Sequence, residues 1–493
     1  MGRPARRGLL SCACVLLATA GCAQLAGIEE TSGLVPDRVS LQVERVSVGA
    51  SVVRAPLDLT PSTASFLVPD VAVPEGFTRV PADVAAVGLW SAEIAAGTPA
   101  VQFTLPDFPT PLQRVLQFDT RAHKQAFAVY EHPSPQPAPA GAMLTVSATL
   151  PTAYVTGQSF QFWSVGTWNA RGFVAAELPL VDMGLTVLGP VSFAFTSTNK
   201  QTGRDHERIT ASDAVLLIRY TGNRLTGVLE AAPFEQTGDD TISGAMTGVA
   251  AAETVTADLQ PMLVAGRYAP LRPAMGVPAM SWSVTAAPGV DQAAFRGISL
   301  NAAVVDAADP PLSTLYGNPF VAKGWRSVVL WATSASRTVT PLGQTLPVTL
   351  RSELFTYIEP TPAMVLDLPA ALPELITING VPLSSDGLSV PKPTQANVSF
   401  IANGIGTVFQ VQLYELVPNM ANTALTYRFV IEATGPTKEL SLPPDVFVPG
   451  KLYTLRAVTY AGSFPGFANG DLSVRSLPVS VGYHDSGVFT VAP

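Results

Sequence analysis

Apolar and polar residues alternate with a period of two over much of the chain, which is the pattern of half-buried β-strands. Leu41 and Val43, then Val46 and Val48 after a break in phase, predict a first strand carrying a bulge. The same alternation predicts strands at 126–130, 144–150, 214–220, 227–231, 254–259, 281–285, 327–333 and 346–357. They are rich in Val, Leu, Thr and aromatics, and Gly, Pro, Asn or Asp bound them, as in strands joined by turns. Only 290–294 and 301–308 suggest helical turns, and neither sustains a 3.6-residue stripe. The expected class is all-β, with two or three β-sandwich domains in tandem.

Composition agrees with sheet. The 44 prolines and 39 glycines are spread throughout and leave few uninterrupted windows for helices. At 493 residues the chain exceeds what one core supports, so several domains are expected. The proline-rich run at 132–139 reads either as an extended linker or as a loop within one sandwich. A second seam is expected near Glu359 to Pro362. The net charge of −8, with no basic tract, gives no electrostatic footprint for nucleic acid.

The amino-terminus has its own character. Arg3, Arg6 and Arg7 precede a run of apolar and small residues at 8–21, too short for the roughly 20 residues that cross a bilayer as a helix. The run ends Ala18-Thr19-Ala20-Gly21-Cys22, which resembles the lipobox of bacterial lipoproteins. The resemblance implies that residues 1–21 are a signal peptide, that Cys22 is acylated, and that 22–36 is a tether. Ala23 follows the cysteine where some relatives carry an inner-membrane retention aspartate, which points to the outer membrane. An ordinary signal peptide cut near Ala20 is the alternative. Cys12, Cys14 and Cys22 are the only cysteines, so a lipidated mature chain forms no internal disulfide.

A second resemblance lies near the carboxyl end, where Phe447, Pro449, Gly450 and Tyr453 stand at the spacing of the corner between the E and F strands of fibronectin type III domains. It implies a tyrosine corner, with the Tyr453 ring buried and its hydroxyl returned to an upstream backbone group. Strands are expected at 396–401, with Phe400 where that family commonly has tryptophan, then at 408–416, 427–433, 438–442, 453–460 and 479–491. Phe103 to Pro109 is similar to an element of transthyretin-type domains and supports a sandwich in the first half. The expected domains are therefore a sandwich at 37–141, one or more β-rich domains at 142–357, and a fibronectin type III-like domain at 358–493.

Chemistry is sparse. His123, His132, His206 and His484 are scattered, and His206-Glu207 lacks the second histidine of a zinc-binding helix because Thr210 stands there. The acid pairs Asp239-Asp240 and Asp306 with Asp309 sit in turns and read first as solvated loops. No catalytic, metal or cofactor site is expected. Trp163 and Trp168 are a candidate sugar-stacking platform, with buried core as the competing reading. The expected role is a lipid-anchored envelope protein that binds or scaffolds, its partners the membrane and an envelope protein or glycan. A carbohydrate-active hydrolase at 142–357 is the alternative.

Overall fold

The computed structural model describes residues 37–492 apart from 58–64, 71, 74–76, 96–99, 106–112, 120–123, 132–138, 165–168, 174–183, 195–207, 259–260, 272–274, 276–277, 290–296, 306–311, 342, 366–368, 420, 467–470 and 473. Cys22, the tether, the run at 132–138, Trp168, His123, His132, His206, Asp306 and Asp309 lie outside the described residues. Within them the chain is nearly all β, arranged as several sheets packed in layers.

The first unit contains β1 (Asp37–Val48), β2 (Val52–Pro56), β3 (Ser65–Pro69), β4 (Phe77–Pro81), β5 (Asp83–Ala86), β6 (Leu89–Ile94), β7 (Ala100–Leu105), β8 (Gln113–Asp119) and β9 (Lys124–Glu131). Val39, Leu41, Val43 and Trp90 of one sheet meet Phe66 and Val101 of the other in a shared core. The bulge expected in β1 is absent from its ladder with β9, which runs from Ser40 to Ser47 without a register shift. The break in phase arises on the other edge, where β1 pairs with β6 as far as Gln42 and with β2 from Glu44 onward.

The second unit is built from β10 (Met143–Thr149), β11 (Gln158–Ser164), β12 (Asn169–Phe173), β13 (Val187–Ala194), β14 (Val215–Thr221), β15 (Arg224–Glu230), β16 (Asp240–Ala245) and β17 (Thr247–Gly248). The sheet β13-β10-β16 faces the sheet β12-β11-β14-β15-β17. Strand β14 is buried on both faces. Val215 and Leu217 fill the core of this unit, whereas Leu216, Ile218 and Tyr220 enter the core of the next. Such a central layer needs an unbroken apolar run in place of alternation.

The third unit comprises β18 (Glu253–Asp258), α1 (Pro261–Arg267), β19 (Ala279–Ala287), β20 (Ile298–Val305), β21 (Leu312–Tyr316), β22 (Arg326–Val339), β23 (Val348–Ile358) and β24 (Ala363–Val365). Trp282 and Trp331 are direct cross-strand partners, almost wholly buried at its centre. The helical turn expected at 301–308 is instead strand over 301–305, because Ile298–Val305 is an antiparallel partner of β19. Strand β24 lies beyond the seam expected near Pro360, yet it pairs with β18. The chain thus returns to the third unit before leaving it.

The fourth unit holds β25 (Pro373–Ile378), β26 (Val381–Pro382), β27 (Leu388–Val390), β28 (Ala396–Ala402), β29 (Val408–Pro418), β30 (Leu425–Gly435), β31 (Glu439–Leu442), β32 (Leu452–Ser463), β33 (Asp471–Leu472), β34 (Ser476–Asp485) and β35 (Phe489–Val491). The last strand expected at 479–491 divides into β34 and β35. The backbone bends at Gly487, whose N–H donates to Leu383 O at 2.6 Å, and a Cβ there would lie 2.5 Å from Ser385 O. Strand β34 pairs with both β32 and β23, and β30 pairs in parallel with β8. One sheet of 14 strands therefore runs through the first, third and fourth units.

Arg219 on β14 is 1% exposed and has only neutral partners. Its guanidinium donates to Gln158 Oε1 at 2.5 and 3.1 Å, to the Thr152 carbonyl at 2.9 Å and hydroxyl at 3.0 Å, and to the Ala153 carbonyl at 3.0 Å. Desolvation lowers its pKa from the ordinary arginine value. Arg219→Met would strand several acceptors, each costing about 1–3 kcal/mol when buried without a donor. A loss of roughly 3 kcal/mol is expected in urea unfolding of the second unit, and an unchanged midpoint would refute the buttressing role.

Candidate functional site

The face of the long sheet that turns away from the fourth unit's core carries most of that unit's unusual chemistry. Register places Glu432, Gln412, Arg456 and Asp485 side by side across β30, β29, β32 and β34. Around this row stand Tyr414, Tyr427, Phe429, Tyr483 and Phe355, each half-buried. Strand periodicity puts them there, because the alternate residues Leu413, Ile431, Leu455 and Ala457 point into the core.

Asp485 is the centre of the arrangement. Its side chain has no exposed surface, and it accepts from Arg456 Nε at 2.6 Å, Arg456 Nη2 at 3.1 Å, the Tyr427 hydroxyl at 2.9 Å and the Arg351 N–H at 2.9 Å. The Arg456 guanidinium also lies 4.2 Å from the ring centre of Tyr483, 5.3 Å from Tyr414 and 5.6 Å from Tyr427, within cation–π range. Burial alone would lower the pKa of Arg456, but the charge and hydrogen bonds of Asp485 outweigh it and raise the value. Burial pushes Tyr414 up to about 12 and raises Tyr427 and Tyr483 further, so all three phenols stay neutral. Gln412 Nε2 donates to Gln410 Oε1 and Glu432 Oε2, both at 3.0 Å, while Gln412 Oε1 accepts from the Tyr414 hydroxyl at 2.7 Å. Aromatic rings, planar amides and carboxylates are thus held in place by one another.

A cleft of about 580 Å³ opens between the second and third units, with Glu230, Thr247, Gly248, Glu253, Asn318 and Phe320 on its walls. Glu230 is ion-paired with Lys323. The Asn318 side chain is spent on its own turn, donating to Trp325 O and Ser327 Oγ and accepting from the Phe320 N–H. The cleft lies at a junction between layers, and two of its polar side chains, Glu230 and Asn318, already serve the fold.

The residues singled out from sequence fall in different places. Trp163 is partly buried, packs against the core shared with the third unit, and donates from Nε1 to Gln161 Oε1 at 3.1 Å. Phe160 and Phe162, on the opposite side of the same strand, fill the second unit's core. Asp239 accepts from the Met143 N–H at 2.8 Å, and Asp240 beside it has a raised pKa, from desolvation first and Asp239 second. Among the described residues no group of three His, Cys, Asp or Glu is placed to hold a metal ion, and no helix is long and apolar enough to cross a membrane. Sequence reading missed the Arg456–Asp485 cluster. Its signal was an arginine among apolar neighbours in β32, with Tyr-His-Asp at 483–485 closing β34.

Tyr453 is 1% exposed, and its ring lies 6.0 Å from Phe447 and 5.9 Å from Phe489. Its hydroxyl donates to Val446 O at 3.3 Å and accepts from the Val448 N–H at 2.9 Å. Gly450 sits between them at φ +80°, where a side chain would be strained.

No protein-family model matches the chain, and no curated protein matches it. Among solved structures it is similar to Escherichia coli alpha-2-macroglobulin activated by porcine elastase, at 8% identity and a TM-score of 0.15. That alignment covers 92% of this chain and 43% of the other, so the chain spans less than half of that protein's length. A likeness of this size carries no inference about function.

Tyr453→Phe keeps the ring and removes the hydroxyl, leaving the Val446 carbonyl and Val448 N–H without their partner. The expected cost is about 1–2 kcal/mol in denaturant unfolding. A change below a few tenths would mean that the hydroxyl does not hold the corner.

Proposed function

We propose that the chain is a lipid-anchored protein of the cell envelope, held through Cys22 at the outer membrane, that acts as a binding and scaffolding module. The observation that carries the reading is the half-buried aromatic face formed by Phe355, Tyr414, Tyr427, Phe429 and Tyr483 across the joined third and fourth units. A continuous sheet keeps those rings in fixed relation, which lowers the ordering cost of binding a partner. The partner is an envelope protein or a glycan, either of which meets aromatic rings and planar polar groups well. The resemblance of 18–22 to a lipobox supports anchoring, since each buried acyl methylene contributes about 0.8 kcal/mol and two or three chains hold a protein on a bilayer. The hydrogen bonds of Tyr453 support reading the fourth unit as fibronectin type III-like.

The test has two arms in a Gram-negative host. Radiolabelled palmitate is expected in the wild type and not in Cys22→Ala, with the wild type alone sedimenting with outer membranes; equal labelling or fractionation would refute the anchor. Crosslinking from intact envelopes is expected to recover a partner with wild type and less than a tenth as much with the double variant Phe355→Ser and Phe429→Ser. Undiminished recovery with a folded double variant would refute the face.

A further inference from the structure

On the opposite face of the same seam, His484 stands where the third and fourth units join. It is the end pair of the ladder between β34 and β23, opposite Ser352, and its Nδ1 is hydrogen-bonded to Ser352 Oγ. Ser352 has no exposed surface. The charged groups around the imidazole are Arg337 of β22 and Asp485, the next residue along β34. Arg337 is in turn ion-paired with Asp386 of the fourth unit, whose Oδ1 also accepts the Val488 N–H at 3.0 Å. Asp485 is already committed to Arg456, Tyr427 and the Arg351 N–H, so it offers a protonated imidazole little new bonding.

We propose that this seam is an acid-sensitive joint: a proton taken up by His484 places a second cation beside Arg337 in a half-buried site and loosens the third unit from the fourth. Both sides of the seam contribute to the environment, Ser352 and Arg337 from the third unit, His484 and Asp386 from the fourth. The cost of the charge therefore falls on their contact. Burial pulls the imidazole pKa down to about 4, from an ordinary value of 6.5, with Asp485 opposing and Arg337 assisting. The sign follows. With the seam closed the proton is held more weakly than with it open, so closure is fully favoured above pH 6.5 and loses ground as pH falls towards 4. Each pH unit within that window multiplies the open population by up to ten, on the order of a hundredfold across it. A half-buried aromatic face at neutral pH and a parted seam in acid would give one chain two binding states.

Hydrogen exchange on the full chain tests this, with rates corrected for intrinsic pH dependence. Amides of β23 and β34 at the seam are expected to lose protection by on the order of a hundredfold between pH 6.5 and 4, while those of β14 and β19 change little. His484→Gln, which cannot take the proton, is expected to keep its seam protection over the same range. Equal loss in wild type and variant, or no loss in either, overturns the proposal. Should the variant fail to fold, an NMR titration of His484 in the wild type decides instead: a pKa near 4 supports the joint, and one of 6 or above overturns it.

Discussion

A carboxylate without exposed surface, Asp485, fixes the geometry on which the aromatic face depends. A buried carboxylate is tolerable only when donors meet it, and here Oδ1 accepts from Arg456 Nε while Oδ2 accepts from Arg456 Nη2, the Tyr427 hydroxyl and the Arg351 N–H. These donors come from β32, β30 and β23, so the pair binds three strands to a fourth. Because β23 belongs to the third unit, Asp485 also ties that unit to the fourth. Hydrophobic packing at Val458, Tyr460, Val479, Val481 and Tyr357 supplies the bulk of the contact without specifying its register. The polar cluster supplies the register, since a shift by one strand position would strand a buried charge.

Strand β14 performs a similar coupling between the second and third units by a different means. Its residues are apolar on both faces until Arg219, so neither unit has a complete core without the other. The Tyr220 hydroxyl donates across the junction to Ser299 O at 3.0 Å. Two kinds of seam thus occur in one chain, one made by a strand shared between cores and one by a sheet shared between units. Both join neighbouring units of the tandem through shared packing or shared pairing.

Strand positions were legible in sequence wherever one face meets a core and the other meets solvent, because only then does burial impose a period of two. That holds for β10, expected from alternation, and for β28, expected from the fibronectin type III resemblance. It fails for 301–305, where alanines and a polar Asn301 on the edge strand β20 mimic a poorly capped helix. It fails again at 479–491, where the bend at Gly487 is forced by the backbone of 383–385, over a hundred residues earlier. The corner at Tyr453 was readable because its partners lie within a few residues. The cluster at Asp485 left only the mark of a lone arginine in an apolar strand and the run at 483–485, since its partners come from 351, 427 and 456 and pairing over such separations has no local pattern.

The first unit closes this arrangement. Its strands β8 and β9 pair with β30 and β33 of the fourth unit. The turn between β1 and β2 reaches the opposite junction, where the Ala50 N–H donates to Ser212 O at 2.7 Å and Trp325 Nε1 donates to Ala50 O at 3.0 Å. Gly49 is required at that turn, because a Cβ there would lie 2.1 Å from Ser212 O. One small sandwich therefore touches the second, third and fourth units at once, through short ladders and a hairpin tip. The first strand of the fold thus reaches the junction of the second and third units through the backbone of Ala50, while its ladder with β9 leads to the fourth unit.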